Sequence, residues 1–132
     1  MTTSTITSEE LDARIVGQTL PKRFLTNVER NGAVDVVNWK DSSGEWQSKS
    51  LSDVAQDAAR LVTSLKDLGV GKGDKVVLMM ANRPEFHAID IAVLFCGATP
   101  VSIYNSSAPD QIQYLVNDCG AKFAILENDT FL

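Results

Sequence analysis

Apolar positions recur at three- and four-residue intervals from Leu51 to Leu68, and a few residues later they run together without a break over residues 76–80. The first pattern, built on Leu51, Val54, Ala55, Ala58, Leu61, Val62, Leu65 and Leu68, predicts a strongly amphipathic helix. Ser50-Leu51-Ser52-Asp53 opens it as a capping box with Asp in place of Glu, and Gly69 closes it. The second pattern predicts a strand covered on both faces. A helix then spans residues 84–96, a strand 99–104, a helix 109–119 and a strand 122–127, each helix closed by a glycine. The order strand, helix, strand, helix, strand predicts a parallel layer with right-handed crossovers.

Ahead of this layer the pattern is weaker. Residues 1–18 are Thr/Ser-rich and then faintly amphipathic through Leu11, Ile15 and Val16, which predicts a loose tail with a short helix. Thr19-Leu20-Pro21 opens a helix with Phe24, Leu25 and Val28 on its apolar face and Asn31-Gly32 at its end. Residues 34–40 and 45–49 predict a hairpin around the four-residue loop Asp41-Ser42-Ser43-Gly44. That loop sets Lys40 against Glu45 and Trp39 against Trp46, an indole pair that covers part of the core or offers a stacking platform; the core role is the simpler reading. Asn128-Asp129-Thr130 reads as the cap of one more helix, so the chain is expected to stop where a helix begins. The fold class is α/β: an N-terminal helix and hairpin followed by a parallel βαβαβ layer.

The composition narrows the function. Of 132 residues, 44% are hydrophobic and 22% charged, the make-up of a globular domain with a core. Twelve basic against seventeen acidic residues leave a net charge of −5, shared between the two halves of the chain, with no basic stripe for nucleic acid. The longest apolar stretches, residues 76–81 and 91–96, fall far short of the roughly 20 residues that span a bilayer. The first ten residues lack the pattern of a signal peptide, and no basic amphipathic helix marks a membrane surface. A cytoplasmic location is expected.

Few motifs carry chemistry. Gly69-Val70-Gly71-Lys72-Gly73 has neither phosphate-loop spacing and precedes a strand instead of a helix, so it reads as a helix-to-strand turn. His87 and Cys96 are separated by nine helical residues, about 13 Å and half a turn, too far for a nucleophile–base pair. Cys96 and Cys119 read as packing residues, and no His, Asp or Glu cluster has metal-ligand spacing. Asp90 lies in a helix that is apolar nearly all round, so it is either on a narrow exposed seam or buried with a partner; structural pairing is the simpler role, catalysis the other. Ligands of open α/β sheets bind beyond the carboxyl ends of the strands. The substrate-binding candidates are therefore Asn82 and Arg83 after the first strand of the layer, and Tyr104, Asn105 and Ser106 at the end of the second.

Several segments are also recognisable. Gly44-Glu45-Trp46 and the helix start at Ser50 are followed by Leu68-Gly69-Val70-Gly71-Lys72-Gly73-Asp74-Lys75-Val76, which resembles "LGVxxGDRV". Asn82-Arg83-Pro84-Glu85-Phe86 is similar to "NRPEW", residues 97–104 to "GAVPVPIY", and residues 106–111 to "TSSPEQ". These pieces, collinear over most of residues 20–128, resemble the acyl-CoA synthetases of the adenylate-forming superfamily, long-chain fatty-acid branch. The resemblance implies a parent that uses ATP and Mg²⁺ to make an acyl-adenylate from a fatty acid and then passes the acyl group to CoA. It also implies that this chain is an incomplete piece of the large N-terminal domain: residues 1–19 a tail, residues 20–132 a partial domain ending before the family's Ser/Thr/Gly-rich phosphate loop. No catalytic or metal-binding residue of the family has a counterpart here, so the chain alone is expected to be inactive, its partner being the remainder of the parent. Two other readings stay open: a self-standing fragment from a split or truncated gene that pairs with a complementing polypeptide, and a small flavodoxin-like binding or signalling domain. The first would copurify with its complement; a flavin-binding form of the second would be yellow.

Overall fold

A computed structural model of the chain describes residues 6–131. The expected loose tail falls partly on residues 1–5, outside the described residues. Helix α1, Ser8–Ile15, starts at a capping box in which Thr7 Oγ1 accepts from the Glu10 amide and Glu10 accepts from the Thr7 amide, and none of its residues is buried. Helix α2, Leu20–Asn31, has Thr19 as its N-cap and Pro21 in its first turn. Its Phe24 ring meets Phe95 edge-on, centroids 6.1 Å apart, and this contact docks α2 against α4, the helix at Glu85–Phe95. Lys22, Arg23 and Arg30 against the single Glu29 make α2 a basic amphipathic helix, contrary to the expectation that none is present.

Strands β1, Asp35–Lys40, and β2, Trp46–Ser50, form the hairpin in a register one residue away from that expected. Trp39 pairs with Gln47 and Lys40 with Trp46. The two indoles therefore lie on opposite faces, and the Lys40 ammonium sits 5.4 Å from the Trp46 ring centre. The cause is the loop. Asp41 and Glu45 already pair through Asp41 N–H to Glu45 O, which leaves three loop residues, Ser42, Ser43 and Gly44. Gly44 takes φ +87°, the left-handed residue that a three-residue hairpin needs, while Asp41 Oδ1 accepts from the amides of Ser43 and Glu45.

Helix α3, Leu51–Asp67, begins with the expected box: Ser50 Oγ accepts from the Asp53 amide at 3.1 Å and Asp53 Oδ2 from the Ser50 amide at 2.9 Å. At its far end the Gly69 amide donates to Lys66 O and the Val70 amide to Leu65 O, a Schellman pair. The reversal turns Leu68, expected on the core face, out to solvent at 70% exposure and tucks Val70 under Leu65 at 3%. The glycine-rich segment is thus a helix-to-strand turn, with Gly71 N–H held by Asp74 Oδ2 at 2.9 Å.

The parallel layer forms as expected. Strands β3, Lys75–Met79, β4, Thr99–Ser102, and β5, Phe123–Leu126, are connected by α4 and by α5, Pro109–Cys119. β3 lies in the centre with β4 and β5 parallel on either side. The strands are shorter than expected, so Tyr104 lies in the loop after β4. Val76 and Leu78 enter the core cluster with Ala58, Leu65, Ile89, Ala92 and Val93. Ala58 and Ala92, both wholly buried, let α3 and α4 approach closely. The alternate residues Val77 and Met79 are buried toward the other face of the sheet. Helix α5 has no buried residue, and Tyr114 and Leu115 are exposed. Where a further helix was expected, Asp129–Phe131 forms a single 3₁₀ turn.

Candidate functional site

The carboxyl ends of β3 and β4 lie side by side, because Ile103 N–H continues the ladder by donating to Leu78 O at 3.0 Å. Beyond them the chain opens a cleft of about 480 Å³. Asn82, Tyr104 and Asn105 line it, over an apolar base that includes Met80 and Phe86. Three of the five sequence candidates are thus brought together, and Tyr104, at 84% exposure, stands clear of the protein surface. A turn from Tyr104 O to the Ser107 amide shapes the β4 side. Exposed Ser106 does not line the cleft, because that turn carries it away from Asn82.

Arg83 departs further from expectation. It lines not the cleft but an adjoining cavity, with Trp39, Lys49 and Glu127, and the two share Ala81 and Asn82. Its Nε donates to Glu85 Oε2 at 2.8 Å and its Nη1 lies 3.5 Å from Glu127 Oε1. The hydrogen bond to Glu85 holds the guanidinium pKa up, and the same bond holds the Glu85 carboxyl below its usual range. Glu127 also accepts from the Ala81 amide at 2.7 Å, while its own amide donates to Met79 O. One cation is therefore matched by two carboxylates, and the cluster ties the end of β5 to the loop after β3. Glu127 escaped the sequence search because its partners are 44–48 residues away; only the β3–β5 pairing places them together.

The remaining candidates stay apart from the cleft. Asp90 is half-buried on α4, and desolvation raises its carboxyl pKa against a smaller opposing effect from His87. Among the described residues it has no hydrogen bond or ion pair, which corrects the expectation of a structural partner. Its immediate sequence neighbours on α4, Ile89 and Ile91, are apolar. Cys96 is buried, and burial pushes its thiol pKa up, away from a nucleophilic thiolate. Among the described residues no group of three or more His, Cys, Asp or Glu is placed to hold a metal ion. No helix among them is long and apolar enough to cross a membrane.

A parallel sheet with its cleft at the strand ends, built from these motifs, defines a class. Residues 24–131 match the family model described as AMP-binding enzyme, and the chain belongs to that family. Among its relatives, an uncharacterised protein of Mycobacterium tuberculosis is 40% identical over 93 residues, 70% of this chain and 53% of the relative. The long-chain-fatty-acid–CoA ligase FadD15 of Mycobacterium bovis is 30% identical over 102 residues, 77% of this chain and 17% of the ligase. The N-terminal subdomain of Klebsiella oxytoca NpsA superimposes with a TM-score of 0.77 at 19% identity, over 85% of this chain and 28% of that one. The chain thus spans about half of the first relative and about a sixth of the ligase.

The residues present do not fit a nucleoside triphosphate with its magnesium. Arg83, the one arginine near the strand ends among the described residues, is already matched by Glu85 and Glu127, and the glycine-rich turn spends its amides on Lys66, Asp74 and Gly97. The cleft offers amides and a phenol but no cation.

Proposed function

We propose that residues 20–132 are the opening scaffold of the large N-terminal domain of a cytoplasmic fatty-acid–CoA ligase, with residues 1–19 a tail. The parent would use ATP and Mg²⁺ to activate a fatty acid and would deliver the acyl group to CoA; the groups that handle phosphate and metal would lie outside this chain. The observation that carries the reading is the collinear 30% identity to a long-chain-fatty-acid–CoA ligase across 102 residues. In this reading the cleft of Asn82, Tyr104 and Asn105 is the part of the segment nearest substrate, contributing neutral hydrogen-bonding groups. This chain alone is inactive.

The test is pyrophosphate release from the product of the complete reading frame, with ATP, CoA and carboxylic acids from two to eighteen carbons. The expected outcome is release that depends on long-chain acids and is absent from the 132-residue chain. No acid-dependent release from the complete product would overturn the ligase reading; release with acetate alone would overturn its fatty-acid part.

One observation favours a second reading. The mycobacterial relative aligns over 93 residues that are 53% of its length, so it is itself only about 175 residues long. A polypeptide of that size supports a fragment that works by pairing with a complementing chain. Copurification with a polypeptide carrying the rest of the domain would support it.

A further inference from the structure

A groove of about 960 Å³ runs between α1, α2 and α4, and it shares no lining residue with the cleft at the strand ends. Its cationic side is Arg14, Arg23 and Arg30, and none of the three forms an ion pair among the described residues. Its apolar side is Leu20, Phe24, Ile91 and Leu94. Asp90 is the single carboxylate on it. The groove is thus a cationic island on a chain of net charge −5. The residues from 13 to 31 alone hold four basic groups and one acidic group.

All three cations are arginines. A guanidinium offers a planar fork that meets a carboxylate or phosphate with two parallel hydrogen bonds, which a lysine does not. Exposed arginines without carboxylate partners, beside a continuous apolar strip, match a ligand with an anionic head and an apolar tail. A free anion would leave the strip wet, and a neutral chain would leave the guanidinium groups unused. The volume lies within the range of small-molecule sites. Arg14, Gln18, Leu20 and Arg23, a third of the lining, precede residue 24, where the match to the family begins.

We propose that this groove binds a single-chain anionic amphiphile, the head held by Arg14, Arg23 and Arg30 and the tail laid along Phe24, Ile91 and Leu94. The proposal does not rest on the ligase reading, because the groove is separate from the strand-end cleft and involves no reaction. The head is a carboxylate, as in a free fatty acid, or a phosphate, as in a lysophospholipid.

The test titrates the full 132-residue chain with dodecanoate and with dodecyl phosphate, each below its micelle concentration, followed by calorimetry and by amide shifts in ¹H–¹⁵N spectra. Inorganic phosphate, octyl glucoside and dodecyltrimethylammonium serve as the anion, neutral and cationic controls. The expected result is saturable one-to-one binding of one or both anionic amphiphiles, with shifts confined to α1, α2 and α4. The tighter of the two names the head. The double variant Arg23→Gln/Arg30→Gln should bind at least tenfold more weakly. Lys66→Gln/Lys72→Gln, with the same change of net charge outside the groove, should bind as the parent chain does. Both sites are exposed, and unchanged spectra elsewhere verify the fold of each variant. Equal binding by the arginine variant, shifts centred elsewhere, or a control ligand binding as tightly as the anionic amphiphiles would overturn the proposal.

Discussion

Ser50 does two jobs. It ends β2 opposite Asp35, and its hydroxyl caps α3, so a single oxygen couples the hairpin to the most regular helix of the chain. Ser50→Ala should cost about 1 kcal/mol, read as a lower urea midpoint with an unchanged slope. Leu78, 1% exposed at the centre of the sheet, is a more severe site: Leu78→Ala should cost about 2–5 kcal/mol in the same assay. The carboxylates give a pH signature. Hydrogen bonds from Ser43, Ser50 and Arg83 lower the pKa values of Asp41, Asp53 and Glu85 in turn. Their stabilisation is therefore complete at neutral pH and is lost as the pH falls through the folded values, which lie below the ordinary carboxylate range. Asp90 runs the other way. Its raised pKa means that the folded chain binds that proton more readily than the unfolded one, so its charged form opposes folding at pH 7. Asp90→Asn should be more stable than the parent chain at pH 7, and the difference should shrink in acid. Equal stability across the range would remove desolvation as the cause.

At the scale of elements, what was legible had a strong local cause. The capping box, the 3–4 spacing of α3 and the unbroken apolar run of β3 each act within a few residues, and each formed where the pattern put it. The hairpin register was not legible, because it depends on whether Asp41 belongs to the loop or to the strand. That choice rests on Asp41 accepting from two loop amides and on the left-handed Gly44. Gly44→Ala should therefore destabilise the hairpin by about 1 kcal/mol and broaden the amide signals of β1 and β2 before those of the sheet. Leu68 was misplaced for a similar reason. Periodicity continues across a helix end, whereas the Schellman turn hands the core position to Val70.

Over the whole molecule, the parallel layer could be inferred from the alternation of elements, but the company kept by its ends could not. Asn82, Tyr104 and Asn105 converge because β3 and β4 are neighbours, which the strand-end rule anticipates. The matching of Arg83 by Glu127 needs the further knowledge that β5 flanks β3 on its other side. Glu127→Ala should release the Ala81 amide, seen as faster hydrogen exchange there, and should cost about 1 kcal/mol through the lost hydrogen bond. Unchanged exchange at Ala81 would show that the β3–β5 ladder holds the loop without help from this carboxylate.

The central position of β3 also sets an order of events during synthesis. The strand leaves the ribosome with both edges open, its β4 partner follows some two dozen residues later, and its β5 partner nearly fifty. Until then Val76–Met79, the most apolar segment of the sheet, has nothing to pair with except another nascent chain. Helices α3 and α4 are the only shelter made in time for one of its faces. Slow translation between β3 and β5 should therefore raise the insoluble fraction of the product, and variants that weaken the contact between α3 and α4 should raise it most.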